Sequence, residues 1–346
     1  MADFLDPTRY GIDRDALTAM LVEWGEPRYR ADQVWEGLWS QRRPLEEITS
    51  LGKDLRTRLE SALPLALEAR ADLEGDGGMT RKWLWTGHEG AQVETVLMRY
   101  PDRATVCVSS QAGCAMACSF CATGQAGFER HLSAGEILEQ VVRAQFASPQ
   151  RVSNVVFMGM GEPLANEDAV HEAVARIHRD LGISARQITV STVGVAPAMR
   201  RLAEFPLPTT LAVSLHAPDD ALRETLVPLN RRYPLAEILD AARVYMSGRG
   251  RRVTFEYVML DGINDSVTQA EALGSLLTGP SYGLPSHVNL IPYNPTPGLV
   301  AEPSRALRLR GFADTLERPG ISVTIRKNRG VDIDAACGQL RARLTP

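Results

Sequence analysis

The chain has 346 residues, 44% of them hydrophobic and 23% charged. This is more than one domain of ordinary size requires, enough for a substantial core, and no apolar run approaches a membrane span. The formal net charge of −4 rules out a generally basic, nucleic-acid-coating protein, so any RNA partner must be met by local patches. Three such clusters stand out: Arg249, Arg251 and Arg252; Arg231 and Arg232; and Arg326, Lys327 and Arg329.

The opening Met1–Gly11 stretch has neither the basic nor the apolar region of a signal peptide, which leads us to expect a cytoplasmic protein. Leu17, Met20, Leu21 and Trp24 then recur at helical spacing, Trp35, Leu38 and Trp39 repeat it, and a third helix fits Leu55–Leu63. A turn at Glu74–Gly78 precedes two strand-like runs, Lys82–Trp85 and Gln92–Met98. From residue 104 onward the pattern becomes strand followed by helix. The apolar, β-branched runs are Thr105–Ser109, Asn154–Met158, Gln187–Ser191, Thr210–Leu215, Val253–Val258 and His287–Ile291. The clearest intervening helices are Ala134–Phe146, Asp168–Leu181 and Leu235–Met246. Such alternation predicts an α/β fold with a parallel sheet and right-handed crossovers, either doubly wound or a partial barrel, with ligand loops at the strands' C-terminal ends. A seventh run, Ser322–Arg326, leads towards Cys337.

Three of the five cysteines fall within eight residues, as Cys114-Ala-Met-Ala-Cys118-Ser-Phe-Cys121, after the first strand of the repeating region. That is poor disulfide arithmetic and good ligand arithmetic. Thiolates suit an iron–sulfur cluster or zinc. Three cysteines leave one iron of a four-iron cluster open, whereas a structural zinc would need a fourth ligand such as His131. Other strands also end in polar groups: Gly159-Met-Gly161-Glu162-Pro163, Ser191-Thr-Val-Gly194, Ser214-Leu215-His216 and Tyr293-Asn294-Pro295.

The Cx3Cx2C spacing, its place after a strand and Phe120 beside the last cysteine resemble the radical S-adenosylmethionine superfamily. Cys107 to Cys114, the Gly-Met-Gly-Glu-Pro-Leu segment and Arg329-Gly330-Val-Asp332-Ile-Asp334-Ala-Ala-Cys337-Gly-Gln339-Leu340 narrow this. Together, from about Glu94 to Leu340, they resemble the RlmN/Cfr family of radical RNA methyltransferases. Glu26–Trp35 is similar to that family's accessory domain.

The resemblance implies a partial (βα)6 barrel. Residues 1–90 would form a helical, RNA-binding accessory domain with a β linker, 100–333 the radical core, and 334–346 a segment carrying a reactive cysteine. It implies a [4Fe-4S] cluster on Cys114, Cys118 and Cys121, and two molecules of S-adenosylmethionine per turnover. Gly161, Glu162, Ser191, Ser214, Leu215, His216 and Asn294 would bind that cofactor. The expected reaction is methylation of carbon 2 of an adenosine in 23S rRNA and in a tRNA anticodon loop. Cys337 would carry the methyl group, Glu94 would accept a proton, and Cys107 would resolve the adduct through a transient disulfide with Cys337. The expected partners are these RNAs and an electron donor such as flavodoxin, with the protein itself a monomer off the membrane. Within the same family the alternative is methylation of carbon 8. Outside it, the alternative is a zinc-stapled RNA-binding protein without catalysis.

Overall fold

The computed structural model describes residues 7–341. The chain begins with helices α1 (Arg14–Glu23), α2 (Tyr29–Trp35), which continues into a π-helical turn, and α3 (Lys53–Ala62). Asp13 caps α1 through its side chain, accepting from Ala16 N–H at 2.7 Å. Leu17, Leu21, Val34, Leu38, Trp39, Leu55 and Leu59 are buried and join the core, as their helical spacing requires.

Three antiparallel strands follow, β1 (Glu68–Gly75), β2 (Thr80–Thr86) and β3 (Gln92–Arg99). The repeating region then supplies β4 (Ala104–Cys107), a small hairpin of β5 (Gln111–Gly113) and β6 (Phe128–His131), β7 (Val152–Phe157), β8 (Ile188–Thr192), β9 (Thr210–Ser214), β10 (Val253–Met259), β11 (Ser286–Pro292) and β12 (Ser322–Ile325). Helix α4 (Ala122–Ala126) lies inside the β5–β6 hairpin. The crossovers carry α5 (Ala134–Phe146), α6 (Glu167–Arg179), α7 (Ala196–Glu204), α8 (Asp220–Leu226), α9 (Leu235–Arg249), α10 (Val267–Thr278) and α11 (Ala306–Glu317). All six expected strands and the seventh form, in one sheet ordered β1-β2-β3-β4-β7-β8-β9-β10-β11-β12. Every pair from β4 to β12 is parallel.

The β segment near residue 90 is thus continuous with the barrel sheet: β3 pairs directly with β4. β1 escaped the sequence reading because its alternating charges mark an exposed edge strand that faces solvent along most of its length. The register puts Lys82, Val96 and Cys107 on one face, and period-two alternation adds Leu84 and Glu94 to it. Carried across the sheet, the same face holds Ser191, Ser214, Glu256, Asn289 and Arg326.

The helical start is docked tightly on the barrel. Arg176 on α6, fully buried, donates from Nη1 to Tyr10 O and Gly11 O and from Nη2 to Ile12 O, while its guanidinium lies 4.7 Å from the Trp39 ring. Glu139 on α5 accepts from Ala66 and Leu67 N–H. Gly135 lets the 8–11 loop lie against α5, since a Cβ there would strike Gly11. Among the described residues no helix is long and apolar enough to cross a membrane. Replacing Arg176 with Met leaves three buried carbonyls unpaired, so we expect amide exchange at residues 8–12 and in α1–α3 to quicken about tenfold or more. Exchange in β7–β11 should be unchanged. Equal protection of the helical start in both proteins would show that Arg176 does not hold it.

Candidate active site

The C-terminal ends of the parallel strands surround an open cavity. Its wall brings together Cys114, Cys118 and Cys121, Gly161 and Glu162, Ser191, Ser214, His216, Asn294 and Cys337. Residues scattered over more than two hundred positions thus share one chamber because a parallel sheet aligns the same end of every strand.

The cysteine loop is held by its own backbone. Cys114 N–H donates to Gly127 O at 2.7 Å, Cys121 N–H to Cys118 O at 3.2 Å and Ser119 N–H to Leu226 O at 3.0 Å. Gly113 adopts a φ of 70° against the Gly127 carbonyl, leaving no room for a Cβ, and Ala117 adopts a left-handed φ of 52°. Burial pushes the Cys114 thiol up to about 12 and Cys118 well above its usual range. Among the described residues no three His, Cys, Asp or Glu side chains converge on a single metal ion. His131 is engaged elsewhere, with Nδ1 3.0 Å from Gln111 Nε2 and its ring against Phe128. Three thiols on one wall without a fourth donor fit a multinuclear cluster and not a mononuclear zinc site.

Glu162 is buried, and its oxygens accept from Leu164 N–H at 3.0 Å and Val193 N–H at 2.8 Å. Burial raises its carboxyl to about 7, with these N–H groups pulling the other way. A buried acid held by neutral donors is a fitting partner for an ammonium group. Gly159 and Gly161 serve the protein's own packing: a Cβ would collide with the Val108 carbonyl or with Gln111. His216 has a left-handed φ of 62°, and its Nδ1 accepts from Val258 N–H at 3.0 Å. Burial depresses its pKa to about 3, with nearby Arg223 adding to the effect, so the ring is neutral with its proton on Nε2. Ser191 and Ser214 add hydroxyls to the wall. Leu215 does not reach the wall; it is buried, its N–H donating to Glu256 O.

Residues 326–341 form a strap from β12 back across β1–β3. Asp76 Oδ2 accepts from Gly330 N–H at 2.8 Å, and Lys82 Nζ donates to Asp334 O at 3.1 Å. Asn294 Nδ2 donates to Cys337 O at 3.0 Å, Ala122 N–H to Gly338 O at 2.8 Å, and Arg341 N–H to Glu94 Oε2 at 3.0 Å. Cys337 therefore faces the cavity, accessible from it although enclosed by protein. Burial pushes its thiol up to about 11, while Arg326 opposes this and Cys121 and Glu256 reinforce it. Cys107 is buried behind the cavity wall and is pushed up to about 12 by burial and then by the proximity of Cys337. Both are free thiols. Glu94 also lies behind the wall, its Oε1 3.0 Å from Lys82 Nζ in a buried ion pair.

Two site residues, Arg223 and Glu256, escaped the sequence reading, and Arg326 entered it only as part of a basic cluster. Arg223, fully buried, donates to Leu215 O, Val193 O, Ser214 O and Asn230 Oδ1. It fastens the ends of β8 and β9 and stands near Cys118. Glu256 and Arg326 face each other in the cavity at 3.8 Å. The basic clusters prove mostly occupied: Arg231 pairs with Glu224 at 2.6 Å, Arg251 donates to Pro208 O and Arg249 to Leu202 O. Arg223→Met strands several buried carbonyls at once, so we expect about 3 kcal/mol less stability in denaturant unfolding. A loss below about 1 kcal/mol would deny Arg223 this fastening role.

Comparison with known proteins agrees with this geometry. Residues 108–270 match the Radical SAM superfamily, and residues 10–64 match the ribosomal RNA large subunit methyltransferase N-terminal domain. The chain is 51% identical to a probable dual-specificity RNA methyltransferase RlmN of Frankia alni, over 97% of this chain and 84% of that protein. It is 50% identical to the protein of that name in Chloroflexus aurantiacus, over 96% and 92%. The crystal structure of a radical SAM methyltransferase from Sphaerobacter thermophilus superposes with a TM-score of 0.92 at 47% identity, covering 97% of this chain and 99% of that one. With both domains matched and the cysteine-lined chamber in place, the chain belongs to the RlmN family of radical S-adenosylmethionine RNA methyltransferases.

Proposed function

We propose that the protein methylates carbon 2 of an adenosine in 23S rRNA and of an adenosine in a tRNA anticodon loop, using Cys337 as the methyl carrier. The observation that carries this reading is the strap, which presents Cys337 to the chamber lined by the three clustered cysteines, with the second thiol, Cys107, close by. The names of the relatives add support, because they describe dual-specificity RNA methyltransferases.

Cys114, Cys118 and Cys121 would hold the cluster, and Glu162 would pair with the cofactor's ammonium, aided by Ser191, Ser214, His216 and Asn294. A bound cluster would lend one electron per turnover and take one back, and two bound S-adenosylmethionine molecules would supply the methyl group and the means of abstracting hydrogen. Carbon 2 of adenine is not nucleophilic, so a polar transfer directly from cofactor to base is closed. The Cys337 thiolate instead takes the methyl group first, as a good sulfur nucleophile. After loss of one hydrogen atom, the carbon on Cys337 sulfur bonds to carbon 2; the ring proton then leaves, and the one electron released is the one the cluster would take back. Glu94 accepts that proton; Lys82 Nζ holds its carboxylate in place at 3.0 Å, and the covering strap must shift as the base enters. Cys107 thiolate attacks Cys337 sulfur, the sulfur–carbon bond breaks as the disulfide forms, and the released carbon takes a proton. An external thiol reductant then restores both cysteines. Electrons for the cluster come from a donor such as flavodoxin, and the enzyme works as a monomer in the cytoplasm.

Two variants test this. Cys337→Ala lacks the carrier, so nucleoside mass spectrometry of treated 23S rRNA and tRNA should find no 2-methyladenosine above the no-enzyme control. Methylation by that variant would refute the carrier role, and 8-methyladenosine from the unaltered enzyme would refute the assigned position. Cys107→Ala should form the adduct without resolving it, so the protein should carry covalently bound RNA through denaturing electrophoresis. An iron-loaded Cys107→Ala protein that turns over freely would remove Cys107 from the mechanism.

A further inference from the structure

The inward face of β10 carries an acid that the mechanism above leaves unused. Glu256 is 3% exposed, lines the cavity and sits in register between Ser214 and Asn289. Its Oε1 accepts from Asn289 Nδ2 at 2.8 Å, whereas its Oε2 is buried with no hydrogen-bond donor. Asn289 is itself fixed, with Oδ1 3.1 Å from His287 Nε2, whose Nδ1 is 2.9 Å from Ser322 Oγ. A buried acceptor oriented this firmly and left open costs stability unless a ligand donates to it.

Beside it stands Arg326, whose Nη1 is 3.8 Å from that same Oε2 and 3.9 Å from Met158 Sδ. The pair therefore offers one acceptor and one donor group side by side, in the chamber that Cys337 faces. Adenine carries the complementary pattern on a single edge: the 6-amino group donates and the adjacent ring nitrogen N1 accepts.

We propose that Glu256 and Arg326 read the Watson–Crick edge of the substrate adenine, with Glu256 Oε2 accepting from the 6-amino group and Arg326 donating to N1. This rests on the adenosine reading above and adds to it the residues that select the base. It also fixes which carbon reacts. Carbon 2 adjoins N1, so it lies at the Arg326 end of the pair, while carbon 8 lies on the far side of the purine. The strap that carries Cys337 sets out from Arg326, and Asn294 links Cys337 O (3.0 Å) to Asn328 Nδ2 (2.5 Å), two residues beyond Arg326, which places the carrier at that same end. An adenine read in this way presents carbon 2 to Cys337 and turns carbon 8 away.

The test compares two short RNAs that differ only at the target, one with adenosine and one with purine riboside, which lacks the 6-amino group. The intact, iron-loaded enzyme should prefer adenosine about tenfold to a hundredfold in kcat/KM. In Glu256→Gln, Asn289 holds the amide oxygen at the Oε1 position, so the amide NH2 takes the place of Oε2 and meets the 6-amino group donor to donor. That variant should lose the preference for adenosine while its iron content and S-adenosylmethionine Kd stay within about twofold of the parent. Equal kcat/KM for the two RNAs with the intact enzyme overturns the edge reading and leaves the methyltransferase reading standing. No methylation of either RNA overturns both. Weakened S-adenosylmethionine binding by Glu256→Gln with the adenosine preference intact would assign Glu256 to the cofactor, and the proposal would fall. Because the first comparison uses the unaltered protein, it holds even if the variant folds poorly.

Discussion

The structure depends most on how the open side of its barrel is closed. Parallel strands β4 and β7 to β12 form an incomplete ring, and an incomplete ring exposes a sheet edge and a solvated lumen. The strap of residues 326–341 covers that gap, leaving β12 with an Arg326 N–H to Leu290 O bond and ending on Glu94 across the opening. Each hydrogen bond along it contributes on the order of 1 kcal/mol net, and none alone would hold the segment. Together they tie both sides of the gap through one piece of chain. Gly330 makes the turn possible, with a φ of 64° and Thr80 and Ala335 close to where a Cβ would sit. The closure and the placement of Cys337 are therefore one event.

That economy has an electrostatic consequence. The chamber holds two buried acids, Glu162 and Glu256, and three thiols that burial pushes upward, so the protein alone opposes the thiolates of Cys114, Cys118 and Cys337. The cations that counter this are Arg223 near Cys118 and Arg326 near Cys337 and Cys107. Each is anchored by contacts to the wall. A cationic cofactor and a cluster supply the remaining positive charge on the proposed reading. On that reading the filled chamber favours thiolates that the chamber without them disfavours.

The fold was legible where local pattern decides structure. The seven strand runs and the three clearest helices stood out because β-branched runs, helical periodicity and the Ser133–Glu136 capping box all act over a few residues. The cysteine loop was legible from spacing alone. Arg223 was not, because its partners are carbonyls contributed by separate loops and its own surroundings read as an ordinary amphipathic helix. Glu256 offered a signal that went unused. In Val253–Met259 the apolar Phe255, Tyr257 and Met259 face the helices, so Thr254, Glu256 and Val258 must face the lumen. In a helix-wrapped barrel, the polar residue of an alternating strand belongs to the interior, the reverse of a half-exposed sheet. Leu215, expected at the cofactor from the resemblance alone, has its side chain buried between two wall residues, so only its backbone could serve there.

The rigid docking of the helical start constrains how two RNAs could be served. Arg176, Glu139 and Gly135 fix that unit to α5 and α6, the helices that follow the cysteine hairpin and the Glu162 loop. A frame so fixed cannot bend to match two differently folded RNAs, so on the proposed reading both must bring the same local object to the chamber. A single adenine turned out of its stack is such an object. Selection must then come mainly from the base and less from its context. The burden falls on the few polar groups that touch that base, and an open, immobilised acceptor such as Glu256 Oε2 is what such a task calls for.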